Sequence, residues 1–148
     1  MTWFSSGPGF EVSHIINGYG WDQLKDATVV DIGGSHGNAC IALAEKFPSL
    51  RYIVQDVPKV VEMGKANLPA HMQDKITFMV HDFFTEQPVR GASVYFLRYI
   101  LHDWSDTYAI RILKALVPAM KTGSKVLLNE HIIPEPGTIS LLGDRHFR

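Results

Sequence analysis

The stretch from residue 28 to residue 47, TVVDIGGSHGNACIALAEKF, constrains the fold of this chain most, because it has the pattern of a strand, a glycine turn and a helix in immediate succession. β-Branched residues suit a buried strand, and glycines permit backbone angles and close ligand approach that a Cβ would obstruct. Four apolar residues then recur at helical spacing, namely Cys40, Leu43, Ala44 and Phe47. This order of elements predicts a parallel α/β sheet with a ligand-binding loop at the carboxyl ends of its strands.

The glycines of this turn do not match the dinucleotide fingerprint Gly-x-Gly-x-x-Gly. Ile32 stands where the first glycine would fall, ahead of Gly33, Gly34 and Gly37. Asp31 at the strand end would repel a pyrophosphate but would attract a ligand that carries an ammonium or sulfonium group. The loop therefore favours a cationic nucleoside over NAD.

The rest of the chain alternates predicted strands with predicted helices, which is the pattern of a parallel sheet covered by helices. Further strands are predicted over residues 51–55, 76–80, 92–97 and 125–133. Helices are predicted over residues 10–18, from Pro58 onward and after Ser105, whose side chain is suited to cap the helix. The last of these helices has an apolar stripe of Ala109, Ile110, Leu113, Leu116 and Val117. Right-handed connections favour the strand order 3-2-1-4-5.

Asp56 ends the second predicted strand, 19 residues after Gly37. In nucleotide-binding folds an acidic residue near this spacing accepts hydrogen bonds from ribose hydroxyls. The alternative is that Asp56 only forms a turn before Pro58. The glycine loop nearby favours the first interpretation.

Together these features resemble the S-adenosylmethionine site of class I methyltransferases. The later stretch LRYILHDWSD narrows the resemblance to the caffeate-type O-methyltransferases of plants and fungi, and GGSHG is similar to the fungal members. The resemblance covers about residues 3 to 140 and rests on several motifs in the correct order. It implies a Rossmann-like methyltransferase fold, with S-adenosylmethionine as cofactor bound at the glycine loop.

The resemblance also implies roles for individual residues. Asp82 would accept a hydrogen bond from the adenine amine and Phe83 would flank the ring, although an Asp after a strand more often forms a turn. Arg98 stands where the family usually has Lys near the cofactor, and the two cations differ in contact geometry. His102, in the LHDW motif, matches the family's catalytic base. Glu130 matches the glutamate that holds this histidine.

Physical chemistry supports histidine in that role. A phenol with a pKa near 10 is ionised at about one part in a thousand at neutral pH, a deficit of roughly 4 kcal/mol that a positioned base can recover. His102 follows the fourth predicted strand, which neighbours the first, so it faces the crevice at the strand ends. The alternative for any of the seven histidines is a surface or satisfied core residue. Glu130 is expected to accept the other ring N–H of His102, unless it is an inward charge on an unpaired strand.

Family members have additional elements on both sides of the matching stretch. The resemblance implies a helical dimerisation domain before it and two strands with a helix after it. We therefore expect residues 1–148 to be a single, partial catalytic domain that lacks the family's last two strands and self-associates through its exposed fifth strand. One hypothesis is an O-methyltransferase acting on a hydroxyl of a small aromatic or polyketide-like metabolite. The other is a non-catalytic remnant that retains part of the cofactor site.

Composition argues against several other classes of protein. Apolar residues make up 46% and charged residues 20%, as in ordinary globular domains. The net charge is −1 and no stripe of Lys and Arg occurs, so neither nucleic acid nor an acidic membrane is an expected partner. Cys40 is the single cysteine and cannot form an internal disulfide. Without metal-ligand spacings or signal-peptide features, we expect a cytoplasmic enzyme that needs no metal.

Overall fold

The computed structural model describes residues 11–130, in which strands and helices alternate. The strands are β1 (Thr28–Ile32), β2 (Arg51–Asp56), β3 (Ile76–Val80), β4 (Val94–Arg98) and β5 (Lys125–Asn129). The α-helices are α1 (Val12–Gly18), α2 (Asn38–Lys46), α3 (Pro58–Asn67) and α4 (Asp106–Leu116), and a 3₁₀ turn spans Leu101–Asp103. Within these residues, no helix has the length and apolar character needed to cross a membrane.

All five strands are parallel and lie in the order β3-β2-β1-β4-β5, which confirms the predicted topology. β1 occupies the centre, where Asp31 is aligned with Val54 of β2 on one side and with Phe96 of β4 on the other. The chain adds β2 and β3 on one side of β1 and then returns to add β4 and β5 on the other. Ligands of open α/β sheets bind at such a switch point, outside the carboxyl ends of the strands.

Apolar side chains cover both faces of the sheet. Val29 and Val54 face the layer of α1, α2 and α3, and both are fully buried. Val30 faces the opposite layer, where Ile112 of α4 is also fully buried. Neighbouring residues of β1 point to opposite faces, as expected for a strand buried on both sides. The two layers leave the loops at the carboxyl edge as the part of the sheet that is open to a ligand.

The predicted apolar stripe of α4 is partly wrong. Ile110 and Val117 are 51% and 63% exposed, whereas Ile112, which lies outside the predicted stripe, is fully buried. Ile112 and Leu116 are spaced i, i+4 and share the face that packs on the sheet. Ser105 does occupy the N-cap position, but its side chain makes no capping hydrogen bond.

The ends of β4 and β5 also differ from the prediction. β4 starts at Val94 instead of residue 92 and extends to Arg98. β5 ends at Asn129, so Glu130 follows the strand instead of lying within it. The remainder of the predicted fifth strand, the start of the predicted first helix at residue 10, and the expected absence of two further strands all fall outside the described residues. Because Glu130 has left the sheet ladder, its side chain is available to the neighbouring loop.

Candidate cofactor and acceptor site

The loop between β1 and α2 folds tightly over the carboxyl edge of the sheet. Gly33 has φ of +68°, and a Cβ added there would lie 2.5 Å from Cδ1 of Ile100. The N–H of Gly34 donates to the carbonyl of Gln55 at 3.1 Å, and the Gly34 carbonyl accepts from the N–H of Gly37 at 2.9 Å. The loop backbone therefore packs so closely on Ile100 that a side chain at position 33 would not fit without a shift.

Asp31 lies beneath this loop instead of on its surface. It is 1% exposed, and Sγ of Cys40 donates to its Oδ2 at 3.3 Å. A Cβ on Gly34 would lie 2.5 Å from the same oxygen. Burial raises the pKa of Asp31 from 3.8 to about 6, although the hydrogen bond from Cys40 opposes this shift. The sequence pattern predicts a carboxylate that faces a cationic ligand, but the structure turns this one toward α2.

Asp56 connects the end of β2 to the glycine loop. Its Oδ2 accepts the N–H of Ser35 at 2.9 Å, and its Oδ1 accepts the N–H of Val57 at 2.8 Å. Asp56 thus forms the local turn that the sequence allows and also a contact with a residue 21 positions away. A carboxylate has about four lone-pair sites, so two N–H donors leave capacity for ribose hydroxyls.

Asp82 and Phe83 follow β3 at the same edge. Asp82 is exposed, and its Oδ1 accepts the N–H of Phe84 at 3.0 Å, which is a turn-forming contact. The Phe83 ring comes within 3.7 Å of the position that a Cβ on Gly33 would occupy. It also packs edge-on against Phe84 and Trp104, with ring centres 5.0 and 5.9 Å away. An apolar flank therefore stands beside the glycine loop.

Arg98 is the last residue of β4. Its Nε donates to Oδ1 of Asn129 at 3.2 Å, and its guanidinium lies 4.8 Å from the centre of the Tyr99 ring. Tyr99 has φ of +54°, a conformation that is uncommon for a bulky residue. Its N–H donates to the Asn129 carbonyl at 3.0 Å. This turn redirects the chain from β4 into the segment that carries His102.

His102 lies in the 3₁₀ turn after β4 and is held by Glu130. Nδ1 of His102 is 2.8 Å from Oε2 of Glu130, while Oε1 of Glu130 accepts the N–H groups of Ile100 and Leu101 at 3.0 and 2.8 Å. The other ring nitrogen, Nε2, is 3.3 Å from Oδ1 of Asp103. The His102 side chain is 44% exposed and that of Glu130 is 17% exposed. The arrangement is a partly open imidazole with a carboxylate fixed behind it.

The carboxyl edge thus brings most of the predicted site residues together. They comprise Gly33, Gly34, Gly37, Asp56, Asp82, Phe83, Arg98, His102 and Glu130. Asp31 differs from these residues because its side chain is buried beneath the loop. An edge that combines a backbone loop, carboxylate acceptors and an aromatic flank is suited to a nucleoside.

The sequence profile of the O-methyltransferase domain family matches residues 9–142. The chain belongs to this O-methyltransferase family. It is 46% identical over 150 residues to the grayanic acid biosynthesis cluster O-methyltransferase of Cladonia grayi, covering 100% of this chain and 33% of the relative. It therefore spans about a third of the length of that relative.

Two solved structures show the same fold. One is described as LepI in complex with SAM and the other as a pericyclic reaction enzyme. In each case the identity is 41% and the TM-score is 0.69, with 86% of this chain and 32% of the matched chain covered.

S-adenosylmethionine is the cofactor of this O-methyltransferase family, and the residues at the carboxyl edge fit its chemistry. The nucleoside has ribose hydroxyls and an adenine amine, which are donors for the carboxylates of Asp56 and Asp82. The ring of Phe83 offers an apolar flank, and the absence of a Cβ at Gly33 allows the loop to pack closely beside it. The donor and acceptor set therefore suits the cofactor.

Sequence reasoning missed three features of this edge. Asp103 lies against Nε2 of His102. Its position directly after His102 in the LHDW motif could have indicated this contact. Trp104 belongs to an aromatic cluster with Phe83 and Phe84. A buried pair of glutamines, Gln55 and Gln87, links β2 to the β3–β4 connection behind the site, and no local sequence pattern predicts it.

Proposed function

We propose that this chain is the catalytic part of an S-adenosylmethionine-dependent O-methyltransferase that methylates a hydroxyl of a small aromatic metabolite. The observation that carries the proposal is the 2.8 Å contact between Nδ1 of His102 and Oε2 of Glu130. It lies on the same edge of the sheet as the glycine loop. An oriented imidazole beside a nucleoside site can remove the proton from an acceptor hydroxyl that lies next to the cofactor.

Glu130 determines which nitrogen of His102 acts as the base. An ionised carboxylate only accepts hydrogen bonds, and Glu130 at 2.8 Å from Nδ1 is closer than Asp103 at 3.3 Å from Nε2. The neutral ring therefore carries its hydrogen on Nδ1 and has its lone pair on Nε2. Nε2 then takes the proton of the acceptor hydroxyl. The imidazolium that results lies between Glu130 and Asp103, whose Oδ1 is 3.3 Å from Nε2.

The orientation of Glu130 is itself fixed by backbone donors. Oε1 of Glu130 accepts from Ile100 and Leu101, which belong to the turn that carries His102. Three donors therefore hold one carboxylate, and little reorganisation is needed when the positive charge develops.

The cofactor supplies an electrophilic methyl group when it is bound. Asp56 would hold the ribose hydroxyls, while Asp82 and Phe83 would contact the adenine. Gly33, Gly34, Gly37 and Arg98 would complete the site. Oδ2 of Asp56 already accepts the N–H of Ser35 in the glycine loop, so this residue would serve both the loop and the ligand.

The test is transfer of a labelled methyl group from S-adenosylmethionine to a panel of phenols, comparing His102→Ala with His71→Ala. His71 is exposed and precedes β3, at the opposite edge of the sheet, so its variant is the matched control. We expect His102→Ala to lose about 10²- to 10⁴-fold in rate and to bind S-adenosylhomocysteine with little change. Equal rates in the two variants, or loss of cofactor binding with His102→Ala, would refute the assignment.

The similarity to a structure described as a pericyclic reaction enzyme favours a second candidate function. In this second function the chain binds the cofactor but transfers no methyl group, either because it catalyses another reaction or because it catalyses none. It predicts binding of S-adenosylmethionine by calorimetry, but no S-adenosylhomocysteine formed with any phenol. Methyl transfer that depends on His102 would exclude it.

A further inference from the structure

Two glutamines behind the carboxyl edge form a closed hydrogen-bonded pair. Nε2 of Gln55 donates to Oε1 of Gln87 at 2.8 Å, and Nε2 of Gln87 donates to Oε1 of Gln55 at 2.8 Å. The residues are 32 positions apart and are 1% and 0% exposed. Two further contacts complete the pair, since Val89 N–H donates to Oε1 of Gln87 at 2.9 Å and Gln55 Nε2 contacts Sδ of Met79 at 3.4 Å.

The Gln55 side of this pair belongs to the ribose part of the candidate site. The Gln55 carbonyl accepts the N–H of Gly34 at 3.1 Å. The next residue, Asp56, accepts the N–H of Ser35 at 2.9 Å. A displacement of Gln55 would therefore move the glycine loop and the Asp56 carboxylate together.

The Gln87 side belongs to the loop that carries the adenine part of the site. Gln87 follows Asp82 and Phe83 in the connection between β3 and β4, and its N–H donates to the carbonyl of Ala115 in α4 at 3.0 Å. This loop is thereby fixed to α4 on one side and to β2 on the other.

We propose that the Gln55–Gln87 pair is a positioning device that holds the loop after Asp82 and Phe83 against the Asp56 end of β2, beyond the point where the pairing of β2 with β3 ends in the hydrogen bond from the His81 N–H to the Asp56 carbonyl. This inference rests on the function proposed above, because it assigns these two segments to one cofactor. A buried amide without a partner is costly, so a shift of either segment that broke the pair would leave two amides unsatisfied. An apolar pair of the same volume fills the space but does not impose one relative placement.

The experiment separates folding from positioning with a Gln55→Met/Gln87→Met double variant, because methionine approximates the shape of glutamine without its hydrogen bonds. The amide exchange rates of Gly34 and Ser35 are measured by NMR without ligand, and the affinity for S-adenosylhomocysteine is measured by calorimetry. Trp21→Phe is the matched control. It removes a buried 2.8 Å hydrogen bond to the Ile15 carbonyl that lies away from these loops.

We expect the double variant to remain folded, to exchange the Gly34 and Ser35 amides at least tenfold faster, and to bind S-adenosylhomocysteine at least tenfold more weakly. Trp21→Phe should change neither the loop exchange nor the affinity by more than about twofold. If the double variant does not fold, Gln87→Asn provides the same test, because its side chain is one methylene too short to close the pair.

Unchanged exchange at Gly34 and Ser35 in a folded variant would overturn the inference, as would faster loop exchange with unchanged affinity. A wild-type protein that binds no S-adenosylhomocysteine would instead refute the proposed function. The exchange rates would then still decide whether the pair positions the loops.

Discussion

Replacement of Asp31 by Asn should stabilise the fold at neutral pH, even though Asp31 belongs to the predicted cofactor loop. The carboxyl group is 1% exposed, and burial raises its pKa from 3.8 to about 6. The folded chain therefore binds this proton more tightly than the unfolded chain does. The contribution of Asp31 to stability falls as the pH rises from about 4 to about 6, and above that range the folded state carries the full cost of a buried charge.

The size of the effect follows from the pKa difference. Each pKa unit corresponds to 1.36 kcal/mol, so a rise of about two units costs about 3 kcal/mol at pH 7 and above. Asn is neutral at every pH and retains an oxygen that can accept from Sγ of Cys40. We expect Asp31→Asn to match the wild type near pH 4 and to exceed its free energy of unfolding by about 1 to 3 kcal/mol at pH 7.5. The attraction to Arg98 opposes the rise of the pKa and is already contained in the value of about 6.

The assay is urea unfolding at several pH values between 4 and 7.5, followed by tryptophan fluorescence, to which the buried Trp21 contributes. Subtracting the two stability curves removes the titration of all the other groups. Asp74→Asn, at an exposed position, is the control and should differ from the wild type by less than about 0.5 kcal/mol. A difference between Asp31→Asn and the wild type that does not change with pH, or a less stable variant at pH 7.5, would contradict the argument.

Three further variants test other parts of the site. Glu130→Gln should lower the rate of methyl transfer by about 10²-fold or more, because an amide nitrogen can face Nδ1 and favour the wrong tautomer, whereas the dissociation constant of S-adenosylhomocysteine by calorimetry should stay constant. Asp56→Ala should weaken cofactor binding by about 1 to 3 kcal/mol, and an unchanged dissociation constant would leave Asp56 as a turn residue. Gly34→Ala should lower the unfolding free energy by about 1 to 3 kcal/mol, since its Cβ would lie 2.5 Å from Oδ2 of Asp31. Gly18→Ala has open space around the new Cβ and should be nearly neutral in the same melt.

The sequence predicts the parts of this fold that depend on local pattern. β3 lies at residues 76–80 as predicted, because β-branched and aromatic residues are bounded there by polar ones. The strand order follows from the connections, and with it the proximity of the turn after β4 to the end of β5. The sequence predicts less well whether a given side chain points to the core or to solvent. Ile110 is spaced helically with Leu113 and Val117, and Ile112 is spaced helically with Leu116. Only packing against the sheet determines that Ile112 is buried and Ile110 is exposed.

The orientation of Asp31 illustrates the same limit within the site. A carboxylate at the end of a central strand is typical of a ligand contact. The sequence does not predict that the Cys40 thiol of α2 donates a hydrogen bond to this carboxylate. The strand fixes alternate residues to alternate faces, and the helix behind β1 then determines what Asp31 meets. Long-range pairs such as Gln55 with Gln87 are hidden for the same reason, since their contact depends on how the β3–β4 connection packs on β2 and not on spacing along the chain.

The His102–Glu130 contact depends on the register between β4 and β5. Arg98 is aligned with Asn129, and the Arg98 side chain donates to the Asn129 side chain while the next N–H, of Tyr99, donates to the Asn129 carbonyl. Glu130, which follows Asn129, therefore lies beside the turn in which the chain leaves β4. A slip of one residue would send the Glu130 side chain to the opposite face of the sheet and leave His102 without its carboxylate. The chemistry proposed for this site thus depends on the pairing of two strands, which places the proposed base and the carboxylate proposed to orient it side by side, although 28 positions separate them in the sequence.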